Sequence, residues 1–129
     1  MSLYADIDKS KFPLVTVTFT GVSSTDENFE EYLQGLKSLY DSRTDLAIIF
    51  DARHANLPSI KHQKQQAKWL SQNEELLRTF CKGTAYVITS IAVRAILKMI
   101  FSITAQPVPY RIFSNMDGAE SWVRKKLAN

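Results

Sequence analysis

The chain has 129 residues, 45% hydrophobic and 22% charged, with only four Gly and four Pro, which excludes a disordered or low-complexity chain and suits one globular domain over residues 1–129. Sixteen basic against thirteen acidic side chains give +3, too mild and too dispersed to imply nucleic acid. A single cysteine, Cys81, rules out an intrachain disulfide, and with His54 and His62 it supplies too few ligands for a zinc site. No metal or cofactor is therefore expected.

Tyr4 to Ile7 alternates like a strand. After the polar turn Lys9-Ser10-Lys11, Leu14 to Thr20 alternates apolar and β-branched residues until Gly21, so the two runs predict a hairpin. Ser24-Thr25-Asp26-Glu27 reads as a capping box in which Ser24 caps and Glu27 reaches back. Phe29, Tyr32, Leu33, Leu36, Leu39 and Tyr40 then form an apolar stripe at helical spacing. Gly35 inside it costs about 1 kcal/mol against Ala and marks close packing on the sheet.

Leu46-Ala47-Ile48-Ile49-Phe50 is a continuous apolar run, the pattern of a strand covered on both faces. Asp51 to Ser59 follows as an exposed polar loop. Pro58 and Ser59 suit the entry and N-cap of one long helix that stops before Gly83, with Ile60, Gln63, Ala67, Leu70, Leu77 and Phe80 as its apolar stripe. Ala85 to Ile88 is another short strand. Ser90 caps a helix from Ile91 to Ile103. Pro107 and Pro109 force an extended approach to a last strand, Tyr110 to Phe113. Asp117-Gly118-Ala119-Glu120 opens a final helix that buries Ala119, Trp122, Val123 and Leu127. The order ββαβαβαβα, with four helices, calls for a mixed, mostly parallel five-stranded α/β sheet.

The order and three segments, Leu46 to Arg53, Gln66 to Leu70 and Ala119 to Val123, resemble the STAS family of SpoIIAA-like anti-anti-sigma factors, in particular a small stand-alone bacterial branch of unassigned function. The resemblance spans nearly the whole chain. It implies a non-catalytic protein-interaction or regulatory module. The family's functional serine sits at the start of the helix after the central strand, in an Asp-Ser-Ser-Gly sequence, and is phosphorylated by a partner kinase. Here the matching region reads Asn56-Leu57-Pro58-Ser59-Ile60, so Ser59 falls at or within one residue of that position. The preceding Asp, the second Ser and the Gly are missing, which describes a degenerate switch.

Open α/β sheets dock ligands and partners beyond the carboxyl ends of their strands, so Asp51, Arg53, His54, Asn56 and Ser59 form the candidate partner-binding loop. Ser59 has a plain role as a helix cap and a sharper one as a phosphorylation site, where a helix N-terminus with Lys61 and His62 nearby favours phosphate. Asp51 and His54 could orient a general base, yet no nucleophile accompanies them in sequence. The plain reading has Asp51 capping the loop through amides and Arg53 pairing with an acid. Lys61, Lys64 and Lys68 recur at helical spacing as a basic stripe, whose plain role is a solvated face.

The helix from Ile91 to Ile103 is apolar nearly all round and is expected to be buried on more than one side. One side is the sheet. The other side, with Ile96, Met99, Ile100, Phe101 and Trp69, is expected to form a homodimer surface or hold a small apolar or lipid-like ligand. The loop Thr104 to Pro109 continues it. That helix is too short and too interrupted by Arg94 and Lys98 to span a membrane, and the amino terminus lacks the pattern of a signal peptide, so a cytoplasmic protein is expected.

Overall fold

The computed structural model describes residues 3–103 and 106–129; Thr104, Ala105 and the side chain of Ile103 lie outside the described residues. The hairpin comprises β1 (Ala5–Asp8) and β2 (Leu14–Phe19). There follow α1 (Asp26–Ser38), β3 (Leu46–Asp51), α2 (Ile60–Gln72), α3 (Glu74–Phe80), β4 (Cys81–Val87), α4 (Ile91–Ile103), β5 (Tyr110–Phe113) and α5 (Met116–Ala128). The sheet is ordered β1-β2-β3-β4-β5; β1 pairs antiparallel with β2, and every later pairing is parallel.

β3 is central and buried along its whole length, as its continuous apolar run predicts. Its alternate residues serve two cores. Leu46, Ile48 and Phe50 join Val15, Val17 and the apolar stripe of α1 on one face, together with residues of α2, α3 and α4. Ala47 and Ile49 join Leu14, Ala85 and Val87 on the other, covered by Ala119 and Val123 of α5. The first face carries large aromatic side chains. The second is built from small ones, and Gly83 belongs to it: a Cβ there would meet the Trp122 ring at 3.1 Å. Gly35 marks a similar close approach, since a Cβ would lie 2.7 Å from Ile7 Cδ1 and displace the end of that side chain.

Four details differ from the sequence expectation. The long helix is two helices. Asn73 breaks it by closing on Trp69, whose carbonyl accepts both the Asn73 amide N–H at 3.0 Å and its side-chain Nδ2 at 2.9 Å, which makes five helices rather than four. Ile60, placed in the apolar stripe by its spacing, is 69% exposed, whereas His62, outside that stripe, is buried beside Gln63 within it. β4 starts at Cys81 and runs through Gly83, because the glycine serves packing against α5 rather than helix termination. The N-cap of α1 is Thr25, not Ser24, and its reciprocal partner is Asn28: Thr25 Oγ1 accepts from Asn28 N at 3.0 Å, and Asn28 Oδ1 accepts from Thr25 N at 2.8 Å.

Candidate functional site

Parallel neighbours β2 and β3 deliver the starts of α1 and α2 to the same end of the sheet. The segment from Asp51 to Ser59 crosses that end and is fixed at several points. Ala52 N–H donates to the Val87 carbonyl at 2.9 Å, which prolongs the β3–β4 ladder. Asn56 Nδ2 donates to the Gly21 carbonyl at 2.8 Å, and Gln63 Nε2 reaches back to the Pro58 carbonyl at 2.8 Å. Gly21 has φ +87, and a Cβ on it would stand 3.0 Å from the His54 carbonyl, so only glycine fits this turn without strain.

Asp51 is 6% exposed and holds Arg53 by both oxygens. Arg53 Nε donates to Oδ1 at 2.9 Å, Nη2 to Oδ2 at 2.8 Å, and the Arg53 amide to Oδ1 at 3.2 Å. The guanidinium hydrogen bonds, against the cost of burial, hold the Asp51 carboxyl below the usual carboxylate range. The carboxylate is thus committed to the loop, with His54 contributing only a weak charge interaction. His54, Arg53 and Ser59 themselves face solvent.

Ser59 caps α2, its Oγ accepting from the His62 amide at 3.3 Å. It also belongs to a network that sequence reading did not find. His62 is 4% exposed, and its ring stacks on Phe29 at 5.0 Å and 17°. Its Nε2 lies 2.9 Å from Asp26 Oδ1, while its Nδ1 lies 2.9 Å from Ser59 Oγ and 2.8 Å from Ser24 Oγ. The acid–imidazole–hydroxyl chain therefore joins the starts of α1 and α2, with both hydroxyls on one ring nitrogen. Hydrogen bonds from His62 and Lys61 hold the Asp26 carboxyl below its ordinary range. Such a chain orients a hydroxyl and gives its proton an acceptor. The sequence did hold a signal for it. Adjacent parallel strands bring their following helix starts together, so polar side chains at those starts, Ser24, Asp26, Ser59 and His62, are candidates for contact.

The second feature lies beneath the loop. A cavity of about 130 Å³ sits between the aromatic face of the sheet and the helices α1, α2 and α4. Trp69, Ile96, Ile100 and Phe101 line it, whereas Met99 does not and is 44% exposed. Ala52, Ala55, Asn56, Leu57 and Pro58 of the loop form another part of its wall. Phe19, Phe50 and Tyr86 make a column of near-parallel rings across it, with 6.2 Å and 17° for the first pair and 5.1 Å and 9° for the second. Two lining residues carry buried polar atoms without a hydrogen-bond partner, Thr84 Oγ1 and Gln106 Nε2.

The basic stripe does not converge on one target: Lys61 Nζ pairs with Asp26 at 3.0 Å, and Lys64 and Lys68 face solvent. Cys81 is buried, and desolvation pushes its thiol up to about 11. Among the described residues, no three His, Cys, Asp or Glu side chains are grouped to hold a metal ion, and no helix is long and apolar enough to cross a membrane.

No family model matches the sequence, and no curated protein matches it. Solved structures do match. An uncharacterised DUF3478-family protein with a SpoIIAA-like fold from Shewanella loihica superposes with a TM-score of 0.67 at 14% identity, over 92% of this chain and 91% of that one. An anti-sigma factor antagonist from Mycobacterium paratuberculosis superposes with a TM-score of 0.58 at 11% identity, over 95% of each chain. The fold is therefore of the STAS, or SpoIIAA-like, type.

Proposed function

We propose that the chain is a non-catalytic, cytoplasmic STAS-like regulatory module that engages a protein partner through Asp51 to Ser59 and the start of α2. The observation that carries this reading is the way the loop is held. It is pinned to β4, Gly21 and α2, and Arg53, His54 and Ser59 are exposed along it, Arg53 and Ser59 held in place by Asp51 and His62. A preorganised exposed loop loses little conformational freedom on docking. The anti-sigma factor antagonist among the structural neighbours supports a regulatory role. Ser59 serves as a helix cap in the ground state, and the His62–Asp26 pair gives its hydroxyl the proton acceptor that a phosphoryl transfer to it would use.

Photo-crosslinking in cells tests the docking surface. A crosslinking residue at His54 or Lys64 is expected to trap one discrete adduct, and the same residue at Lys125 on α5 is expected to trap none. Equal adducts from both faces, or none from the loop, would overturn the assignment.

The cavity favours a second reading, a carrier or sensor of a small apolar ligand, because Trp69, Ile96, Ile100 and Phe101 face a lined void. Exposed Ile91 and Met99 on the outer side of α4 support homodimerisation there. Light scattering at micromolar concentration is expected to give twice the chain mass, and a monomer would remove that contact.

A further inference from the structure

We infer that the cavity under the loop binds a neutral, single-ring-sized aromatic molecule carrying one hydrogen-bonding oxygen, such as a carbonyl. The inference rests on the second reading above and adds the chemistry of the occupant.

Four observations carry it. The first is charge. Among the described residues, no Asp, Glu, Lys, Arg or His lines the cavity. Its phenols stay neutral, since burial raises Tyr4 to about 12 and pushes Tyr32 and Tyr86 up as well. A carboxylate or ammonium entering such a wall would be desolvated with no counter-charge, a cost of several kcal/mol. The second is size. A cavity of about 130 Å³ is close to the engineered void of about 150 Å³ that admits benzene. The third is shape. The near-parallel rings of Phe19, Phe50 and Tyr86 share one orientation, and Phe101 stands edge-on to Tyr86 at 5.4 Å and 61°. A planar ring can align with that orientation in offset-stacked or edge contact and meet Phe101 as well.

The fourth is the pair of orphaned polar atoms. Thr84 is 5% exposed, and its Oγ1 has no partner in hydrogen-bond geometry, although the Tyr86 phenol lies near enough to interact with it; the buried Nε2 of Gln106 has no partner among the described residues. Leaving such groups unpaired costs about 1–3 kcal/mol each. Gln106 Nε2 is a donor, and the Thr84 hydroxyl donates or accepts, so an oxygen acceptor on the ligand satisfies what the chain leaves open.

Three probes of similar size separate the outcomes: acetophenone with its carbonyl, cumene without an acceptor, and benzoate with a charge. Each is titrated into the full chain by calorimetry, alongside xenon monitored by xenon-129 NMR. Acetophenone is expected to bind at least about tenfold more tightly than benzoate. In the variant carrying Thr84→Val and Gln106→Leu, the affinity ratio of acetophenone to cumene should fall about fivefold. Gln106→Leu alone, outside the sheet, should move the ratio in the same direction if the double variant does not fold. Benzoate binding as tightly as acetophenone, or a ratio the substitutions leave unchanged while xenon still enters, overturns the chemistry and leaves the cavity reading standing. Exclusion of all three probes and of xenon overturns the cavity reading itself.

Discussion

The two faces of the sheet are packed on different principles. Under α5 the contacts are made by Ala47, Ala85, Ala119 and Gly83, small residues that let a helix approach the strands, with Val123 and Ile49 wholly buried between them. Under α1, α2 and α4 the contacts are made by Phe19, Phe50, Tyr32, Tyr86 and Trp69, and they leave a void with unpaired polar atoms. Close packing of small groups stabilises a fold and leaves nothing for a ligand to gain. A loose aromatic face with orphaned polar atoms gives up stability that a bound molecule can restore. The difference fits an architectural role for one face and the proposed recognition role for the other.

Neighbouring residues of β3 put that contrast to the test. Ile49 faces α5 and is fully buried, and Ile48 lines the cavity. Ile49→Ala is expected to cost about 4 kcal/mol in chemical denaturation, since the close-packed face cannot collapse into the gap. Ile48→Ala should cost about 2–3 kcal/mol, because the removed methyl groups already border empty space. Equal costs, or a larger one at Ile48, would erase the distinction. Smaller and of opposite sign, Thr84→Val removes a buried unpaired hydroxyl at nearly constant volume. It is expected to be neutral or to stabilise by up to about 1 kcal/mol, and a clear loss would mean that Thr84 has a partner after all.

The close-packed face was the more legible in sequence. Leu46 to Phe50 announces its strand by an unbroken apolar run, and Ala119, Trp122 and Val123 announce α5 by their spacing. Those signals are local, and local apolar pattern decides which strands are buried on both sides. The recognition face resisted because its determinants are distant in sequence. Ser24 and His62 are 38 residues apart, and the cavity gathers atoms from Tyr4, ahead of β1, to the segment before β5. Two local readings were displaced for a related reason. Ser24 reads as the cap because Glu27 stands three residues on, but its hydroxyl is drawn off to His62, and Thr25 caps α1 with Asn28. Asn73 breaks α2 from α3 with its own side chain, a choice that helical spacing does not register.

The loop ties the recognition face to solvent, and its anchor gives a pH-dependent prediction. Arg53→Ala leaves the buried Asp51 carboxylate with a single amide bond and should lower the urea midpoint at neutral pH, part of the lost bonding being made good by water at the half-exposed guanidinium site. Because Arg53 lowers the folded-state affinity of Asp51 for protons, its contribution is fully present above the ordinary carboxylate range and disappears as pH falls through the lowered folded value. The stability gap between wild type and Arg53→Ala, read from urea midpoints, is expected to be constant from pH 6 to 8 and to narrow at about pH 4 and below. A gap independent of pH would show that Arg53 acts through packing rather than charge.

The smallest effect discriminates best, because it asks whether the network at the helix starts is one unit. Ser59→Ala removes the cap of α2 and one of two hydroxyls on His62 Nδ1, yet Ser24 still reaches that nitrogen at 2.8 Å. The expected cost is that of a cap alone, about 1 kcal/mol. Ser24→Ala is similar in scale, since Ser59 remains 2.9 Å from the ring while the 2.8 Å contact to His62 Nδ1 and the weak 3.3 Å bond from the Ser59 amide are lost. Together the two substitutions strip both partners from a ring nitrogen of a residue that is 4% exposed. The double variant should therefore lose about 1 kcal/mol more than the sum of the singles. Additive losses would mean that the hydroxyls act separately, as two unrelated helix-end contacts. Ser59 would then be a cap alone, with no proton acceptor held ready for it, and its part in a phosphorylation switch would lose its structural support.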